Sequence, residues 1–88
     1  GFLLDPAAWT EDLAQKMAAA LGLPLTPDHW TAIRWARQDF LDHGASPNVR
    51  RVATGSGLGT RRLYELFPRT PGKTTAMLAG IPKPVGCV

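Results

Sequence analysis

Cysteine is almost missing from this 88-residue chain: the one residue, Cys87, stands next to the last position. A single thiol excludes an internal disulfide framework and any all-cysteine metal site within one chain. Histidine is nearly as scarce. His29 and His43 fall at opposite ends of one expected helix. With no second thiol beside them, a structural zinc is not expected, and no cofactor is implied. Long apolar runs are also lacking, so no segment reaches the roughly 20 residues of a membrane-spanning helix. No secretory leader pattern is visible. The expectation is a soluble cytoplasmic protein without a membrane partner, in a reducing compartment that keeps a free thiol reduced. Alternating apolar and polar stretches are absent too, which leaves no confident strand and points to a mainly all-α fold.

Acidic residues are scarce in the second half of the chain. Residues 1–45 hold Lys16, Arg34 and Arg37 against Asp5, Glu11, Asp12, Asp28, Asp39 and Asp42. Residues 46–88 hold Arg50, Arg51, Arg61, Arg62, Arg69, Lys73 and Lys83 against Glu65 alone, within an overall net charge of +3. The cysteine therefore belongs to a basic half. Such a half attracts acidic protein surfaces, nucleic acid or anionic sulfur species.

Proline and glycine punctuate what is there. Asp5-Pro6, Thr26-Pro27, Ser46-Pro47 and Thr70-Pro71 each place a capping side chain before a proline. Proline suits the first helical position, where its missing N–H would be unpaired anyway. Gly22, Gly44, Gly55 and Gly80 read as stops that accept a left-handed cap. Five helices follow, over residues 6–21, 27–43, 47–54, 60–67 and 71–79. Trp9, Leu13, Met17 and Leu21 form one apolar stripe. Trp30, Ile33, Arg37, Phe40 and Leu41 form a second, widened by Trp35 and Ala36. Trp9, Trp30, Trp35, Tyr64 and Phe67 read as core, with the indole N–H and phenol O–H groups reaching partners. His43 reads as a residue compatible with the negative helix end. The chain divides into a helical domain, 1–79, and a C-terminal arm, 80–88.

The arm carries the chemistry. Pro82 and Pro84 stiffen it, Gly86 removes bulk beside the sulfur, and Lys83 is its only side-chain cation. The nucleophile of a cysteine is the thiolate, whose reactivity follows access and pKa. A terminal arm gives access. Lys83 would stabilise a thiolate or persulfide anion, and the C-terminal carboxylate would oppose it.

Two motifs compete for the middle of the chain. Gly55-x-Gly57-x-Gly59 has the spacing of a phosphate cradle, but no strand precedes it and no Gly-Lys-Ser/Thr ending follows; a helix-to-helix turn explains it better. Val49-Arg50-Arg51-Val52-Ala53, Gly57-Leu58, Thr60 and Leu63-Tyr64-x-Leu66-Phe67 resemble the helix-turn-helix of TetR-type repressors. Residues 60–67 would then be the recognition helix, with Arg61 and Arg62 facing bases or phosphates. Only 21 residues follow Phe67, too few for a repressor's ligand-binding domain, and that scheme has no place for the cysteine arm.

Gly80-Ile81-Pro82-Lys83-Pro84-Val85-Gly86-Cys87-Val88 resembles the C-terminus of the DsrC/TusE family. The resemblance continues upstream in Leu66-Phe67-Pro68, Pro71-Gly72-Lys73, Ala79-Gly80, Pro47-x-Val49-Arg50, and Gly1-Phe2-Leu3 with Trp9. It implies a small orthogonal helical bundle with a helix-turn-helix-like substructure and a flexible arm bearing a penultimate cysteine. It also implies a sulfur carrier: a covalent relay of sulfurtransferase type, not a turnover enzyme. Its partners would be an upstream persulfide donor and an acceptor, either a thiouridylase with its tRNA or a complex of sulfite-reductase type. Many members of the second kind carry another cysteine eleven positions before the penultimate one. Here that position is Ala76, so two-cysteine chemistry is unavailable and the single-cysteine, tRNA-thiolation type is favoured. Family members usually begin with a β-hairpin ahead of the Gly-Tyr-Leu position where this chain starts, which leads us to expect a trimmed N-terminus. The resemblance assigns Cys87 as carrier, and Pro84 and Gly86 as shaping the arm. Lys83 and Arg50 would steady the anionic sulfur; Arg61, Arg62 and Arg69 would dock the partner. A DNA reader remains the alternative of another class.

Overall fold

A computed structural model describes residues 5–85 of the chain. Gly1-Phe2-Leu3 and the cysteine itself lie outside that range.

Two competing caps explain how the chain begins. Asp5 accepts the Ala7 N–H at 3.0 Å, but the turn it opens is only the 3-10 segment Pro6–Ala8. Thr10 then caps afresh, its Oγ1 accepting the Leu13 N–H at 3.1 Å, and α1 runs Glu11–Ala20 with Glu11 and Asp12 in its first turn. The single helix expected over 6–21 is therefore broken at Trp9. Freed from α1, Trp9 sits half-buried elsewhere, and Ala14 and Ala18 supply the helix's buried face.

Helix α2 spans Pro27–His43 and ends on Gly44 at φ 78°. His29 closes its first turn. Its Nδ1 accepts from the Thr26 N–H at 3.1 Å and lies 2.7 Å from Thr26 Oγ1, while Nε2 donates to the Leu66 carbonyl at 2.7 Å. A carbonyl can only accept, so the proton belongs on Nε2. Both ring nitrogens are thereby used up in structure, which suits a residue only 5% exposed.

Helix α3 is Val49–Ser56, shifted two residues from the expected 47–54. Asn48, not Ser46, is its cap, accepting the Arg51 N–H at 2.8 Å. Its end is marked by Gly57 at φ 79°, not by Gly55. Gly55 lies inside the helix, where any side chain would collide with the Trp35 indole. The turn Gly57-Leu58-Gly59 leads into α4, Thr60–Leu66, and α5 follows as Pro71–Leu78. Helix, three-residue turn and helix make the expected helix-turn-helix-like unit.

α2 packs against α3, α4 and α5, and α1 lies on α5. Phe67, Ile33, Leu63, Leu78, Ile81 and Val52 are the largest fully buried side chains. Each such burial contributes about 1.5–3 kcal/mol. Alanines at 18, 32, 36, 53, 76 and 79 join that core and let the helices approach closely. Leu41 and Tyr64, expected in the core, are instead 56% and 43% exposed, because α2 and α4 turn those edges outward. The described residues contain helices and turns only, giving the all-α bundle.

Candidate functional site

The arm leaves the body from a fully hydrogen-bonded socket. Glycine at 80 has φ 69°, which turns the chain out of α5. The Ile81 N–H reaches back to the Ala76 carbonyl at 3.1 Å and the Gly80 N–H to Met77 at 3.2 Å. This Schellman pair leaves the carbonyls of Leu78 and Ala79 without helical donors. Two distant side chains supply them. Trp9 Nε1–H donates to Leu78 O at 2.7 Å. Arg37 Nη1 donates to Ala79 O at 3.1 Å, and its Nη2 to Pro6 O at 2.9 Å. The Arg37 guanidinium also lies 4.4 Å from the Trp9 ring centroid, a cation–π contact. Burial pushes the Arg37 pKa down from its usual value, and no carboxylate among the described residues pairs with it.

Beyond the socket the arm crosses a groove of about 530 Å³. Ser46 Oγ donates to the Pro82 carbonyl, tying the arm to the α2–α3 loop. Pro84 is buried, whereas Val85 is 94% exposed. Lys83 and Val85 of the arm line the groove together with Asp39, His43, Asn48 and Arg51.

Asp39 is 6% exposed yet charged, and its partners explain that. Arg51 grips it with two parallel bonds, Nε to Oδ2 and Nη2 to Oδ1, both 2.9 Å. His43 Nδ1 sits 3.1 Å from Oδ1. The Arg51 bonds hold the Asp39 carboxyl below the usual carboxylate range against the opposing effect of burial, and the charges of Arg51 and His43 add to it. The same pairing raises the Arg51 pKa.

The expected site residues separate into distinct regions. Cys87 and Gly86 lie outside the described residues. Lys83 lines the groove, and Pro84 is buried. Arg50 lines an adjoining depression with Trp35, Thr54 and Gly55, and the cation that α3 turns into the groove is its neighbour Arg51. Arg62 is engaged by Asp28 at 3.0 Å and Glu65 at 3.2 Å. Arg61 is exposed on α4. Arg69 stands at φ 77° in the α4–α5 turn, beside a different depression formed with Leu21, Leu23 and Phe67. No cluster of three or more metal-ligating side chains occurs among the described residues.

Sequence reasoning missed Arg51, Asp39, Ser46, and the joint role of Trp9 and Arg37. The signal for Arg37 was present: a cation at an apolar-stripe position must reach polar atoms across the core edge. Arg50 and Arg51 cannot be told apart until the start of α3 is fixed.

The fold and the arm define a class: a small helical bundle whose C-terminal segment leaves α5 from a braced root, with Cys87 further along the sequence. The chain belongs to the DsrC-like protein family, which matches residues 1–88. It is similar to Sulfurtransferase TusE of Escherichia coli strain K12, 37% identical over 95 residues that cover 100% of this chain and 87% of the relative. The corresponding protein of Pectobacterium atrosepticum is 38% identical with the same coverage. Among solved structures, Allochromatium vinosum DsrC superposes with a TM-score of 0.87 at 36% identity, covering 100% of this chain and 85% of that one. The oxidized γ-subunit of dissimilatory sulfite reductase, DsrC, from Archaeoglobus fulgidus gives 0.84 at 34% identity, with coverage of 100% and 87%.

Proposed function

We propose that this chain is a sulfur carrier that holds a persulfide on Cys87 and relays it to an acceptor protein, within tRNA 2-thiouridine synthesis. The observation that carries the reading is full-length similarity to proteins named Sulfurtransferase TusE in a chain whose only thiol is penultimate. The Cys87 thiolate attacks the terminal sulfur of a donor persulfide. The donor's S–S bond breaks, its thiolate leaves, and Cys87–S–SH forms with the proton still on the transferred sulfur. The same displacement by an acceptor thiolate releases the Cys87 thiolate again. No net oxidant is required. A reducing cytoplasm is the compartment that suits this exchange.

A single cysteine favours this relay over two-cysteine chemistry with a sulfite reductase. Position 76 holds a buried alanine in α5. The DNA-reading alternative draws on the α3–α4 unit, but Arg62 on its recognition helix is already engaged by Asp28 and Glu65. Lys83, with Arg51 lining the same groove, would steady the sulfur anion. Arg61 and Arg69 would meet the partner.

The test is intact mass after incubation with a cysteine desulfurase and cysteine, with dithiothreitol as control. The expected result is a reducible gain of one sulfur atom that Cys87→Ser loses while remaining folded. Sulfur uptake by folded Cys87→Ser protein overturns the assignment. Binding of duplex DNA that weakens steeply with salt and depends on Arg61 would favour the other reading.

A further inference from the structure

We propose that Trp9 and Arg37 are positioning residues for sulfur transfer: together they fix the point and direction from which the Cys87 arm leaves the body. The proposal rests on the carrier reading and names the parts of the body that serve it.

The first ground is a complete backbone account. From Thr75 to Ala79 every carbonyl at the end of α5 has a donor. Ala79 N–H serves Thr75, Ile81 serves Ala76, Gly80 serves Met77, Trp9 serves Leu78 and Arg37 serves Ala79. An exposed helix end ordinarily leaves its last carbonyls to water. Here two side chains, one ahead of α1 and one from mid-α2, converge on two adjacent carbonyls.

The second ground is the fit of Arg37 itself. Its guanidinium is held on three sides, by Ala79 O, Pro6 O and the Trp9 ring. A lysine carries the charge but not the planar fork that reaches two carbonyls at once. The Trp9 ring, in turn, fills the space beside the Gly80 Cα where any side chain would stand. Trp9 thus bears on both the last helical carbonyl and the hinge glycine.

The third ground is where the bracing stops. Ile81 is fully buried, Pro82 is tied to Ser46, Pro84 is again buried, and Val85 is 94% exposed. Four residues lie between Pro82 and Cys87, a reach of at most about 18 Å for extended chain. An arm that short delivers its sulfur only into a site its root already faces. A fixed root also removes ordering cost from the encounter. A loosened root would spread the same thiol over directions that no acceptor occupies.

Arg37→Gln, Arg37→Lys and Trp9→Phe test this, each checked for folding by circular dichroism at the assay temperature. Two readouts use the native cysteine. A nitroxide on Cys87 reports, by paramagnetic broadening of backbone amides, which face the arm visits. Persulfide loading from a cysteine desulfurase is compared with alkylation by iodoacetamide, which needs no docking. We expect Arg37→Gln and Trp9→Phe to spread the broadening to new faces and to slow loading roughly tenfold, with alkylation changed less than twofold. Arg37→Lys should fail to rescue. Loading within twofold of wild type in folded Arg37→Gln overturns the proposal, as does slowed loading with an unchanged broadening pattern. A wild-type chain that takes up no sulfur from the desulfurase or from a chemical persulfide removes the carrier reading, and the proposal with it. Normal wild-type loading beside an equally fast variant removes the positioning role alone.

Discussion

The Trp9 indole occupies the space that a side chain on Gly80 would need. Gly22 offers the natural comparison, with nearly the same φ, 70° against 69°, and open space around it. Alanine at either position meets the cost of a left-handed backbone, about 1 kcal/mol. Only at Gly80 must a ring move as well. Gly80→Ala should therefore destabilise by about 2–4 kcal/mol and Gly22→Ala by about 1 kcal/mol. Urea unfolding of the two variants measures the difference, and equal losses would mean that Trp9 does not wedge the hinge.

Thr75 presents a different cost. Its hydroxyl is buried in α5 with no hydrogen-bond partner among the described residues. A buried unsatisfied group of this kind costs about 1–3 kcal/mol. Valine keeps the shape and removes the hydroxyl. Thr75→Val should raise stability by about 1 kcal/mol, seen as a higher denaturant midpoint with an unchanged slope. A lowered midpoint would show that the hydroxyl has a partner after all.

Arg69 holds a conformation that its side chain disfavours. Its φ is 77°, in a tight turn closed by the Thr70 N–H to the Pro68 carbonyl at 3.1 Å. Backbone strain of this sort costs about 1–3 kcal/mol. Arg69→Gly should stabilise by about 1 kcal/mol after the extra freedom of glycine in the unfolded chain is deducted. Arg69→Ala, which keeps the strain, should not. Thermal unfolding of the pair separates backbone from side chain, and the Gly variant's rate of partner-dependent sulfur transfer then reports whether that strain serves docking.

Asp39 gives the fold an acid limit. Its carboxyl titrates lower when folded than the ordinary value near 3.9. The unfolded chain then binds more protons between the two values. The stability from this pairing is full above about pH 4 and is lost as pH falls through the folded value. Asp39→Asn should flatten that acid limb while lowering stability at neutral pH, where Arg51 loses its partner. Denaturant midpoints between pH 2 and pH 7 check the slope, and parallel curves for wild type and variant would place the acid sensitivity elsewhere.

Most of the helical layout was legible because the signals were local. Thr26-Pro27 and Gly44 bracket α2 as written, and the Gly57–Gly59 turn reads as a link between helices. The failures came where two local signals compete and packing decides. Asp5-Pro6 and Thr10 both offer a helix start, and Trp9 is drawn to the α5 terminus, which splits them. Ser46 and Asn48 both offer a cap; Ser46 is used by Pro82, so α3 begins at Val49. That two-residue shift also decides which of Arg50 and Arg51 meets Asp39. Gly55 and Gly57 both offer a stop, and the Trp35 ring settles it. Cys87 and its prolines suggest the arm as the place of chemistry, and Cys87 itself lies outside the described residues. The arm's socket was not legible, since Trp9, Arg37 and Leu78 lie far apart in sequence.

The Schellman closure of α5 also has a consequence for how the chain breathes. The amide hydrogens of Gly80 and Ile81 are bonded back to Met77 and Ala76, so each must wait for an opening of the helix end before it meets solvent deuterium. The Lys83 amide has no such acceptor among the described residues. Exchange rates should step upward across the single proline between Ile81 and Lys83. That step would mark where backbone protection ends, at Lys83, two residues before the exposed Val85.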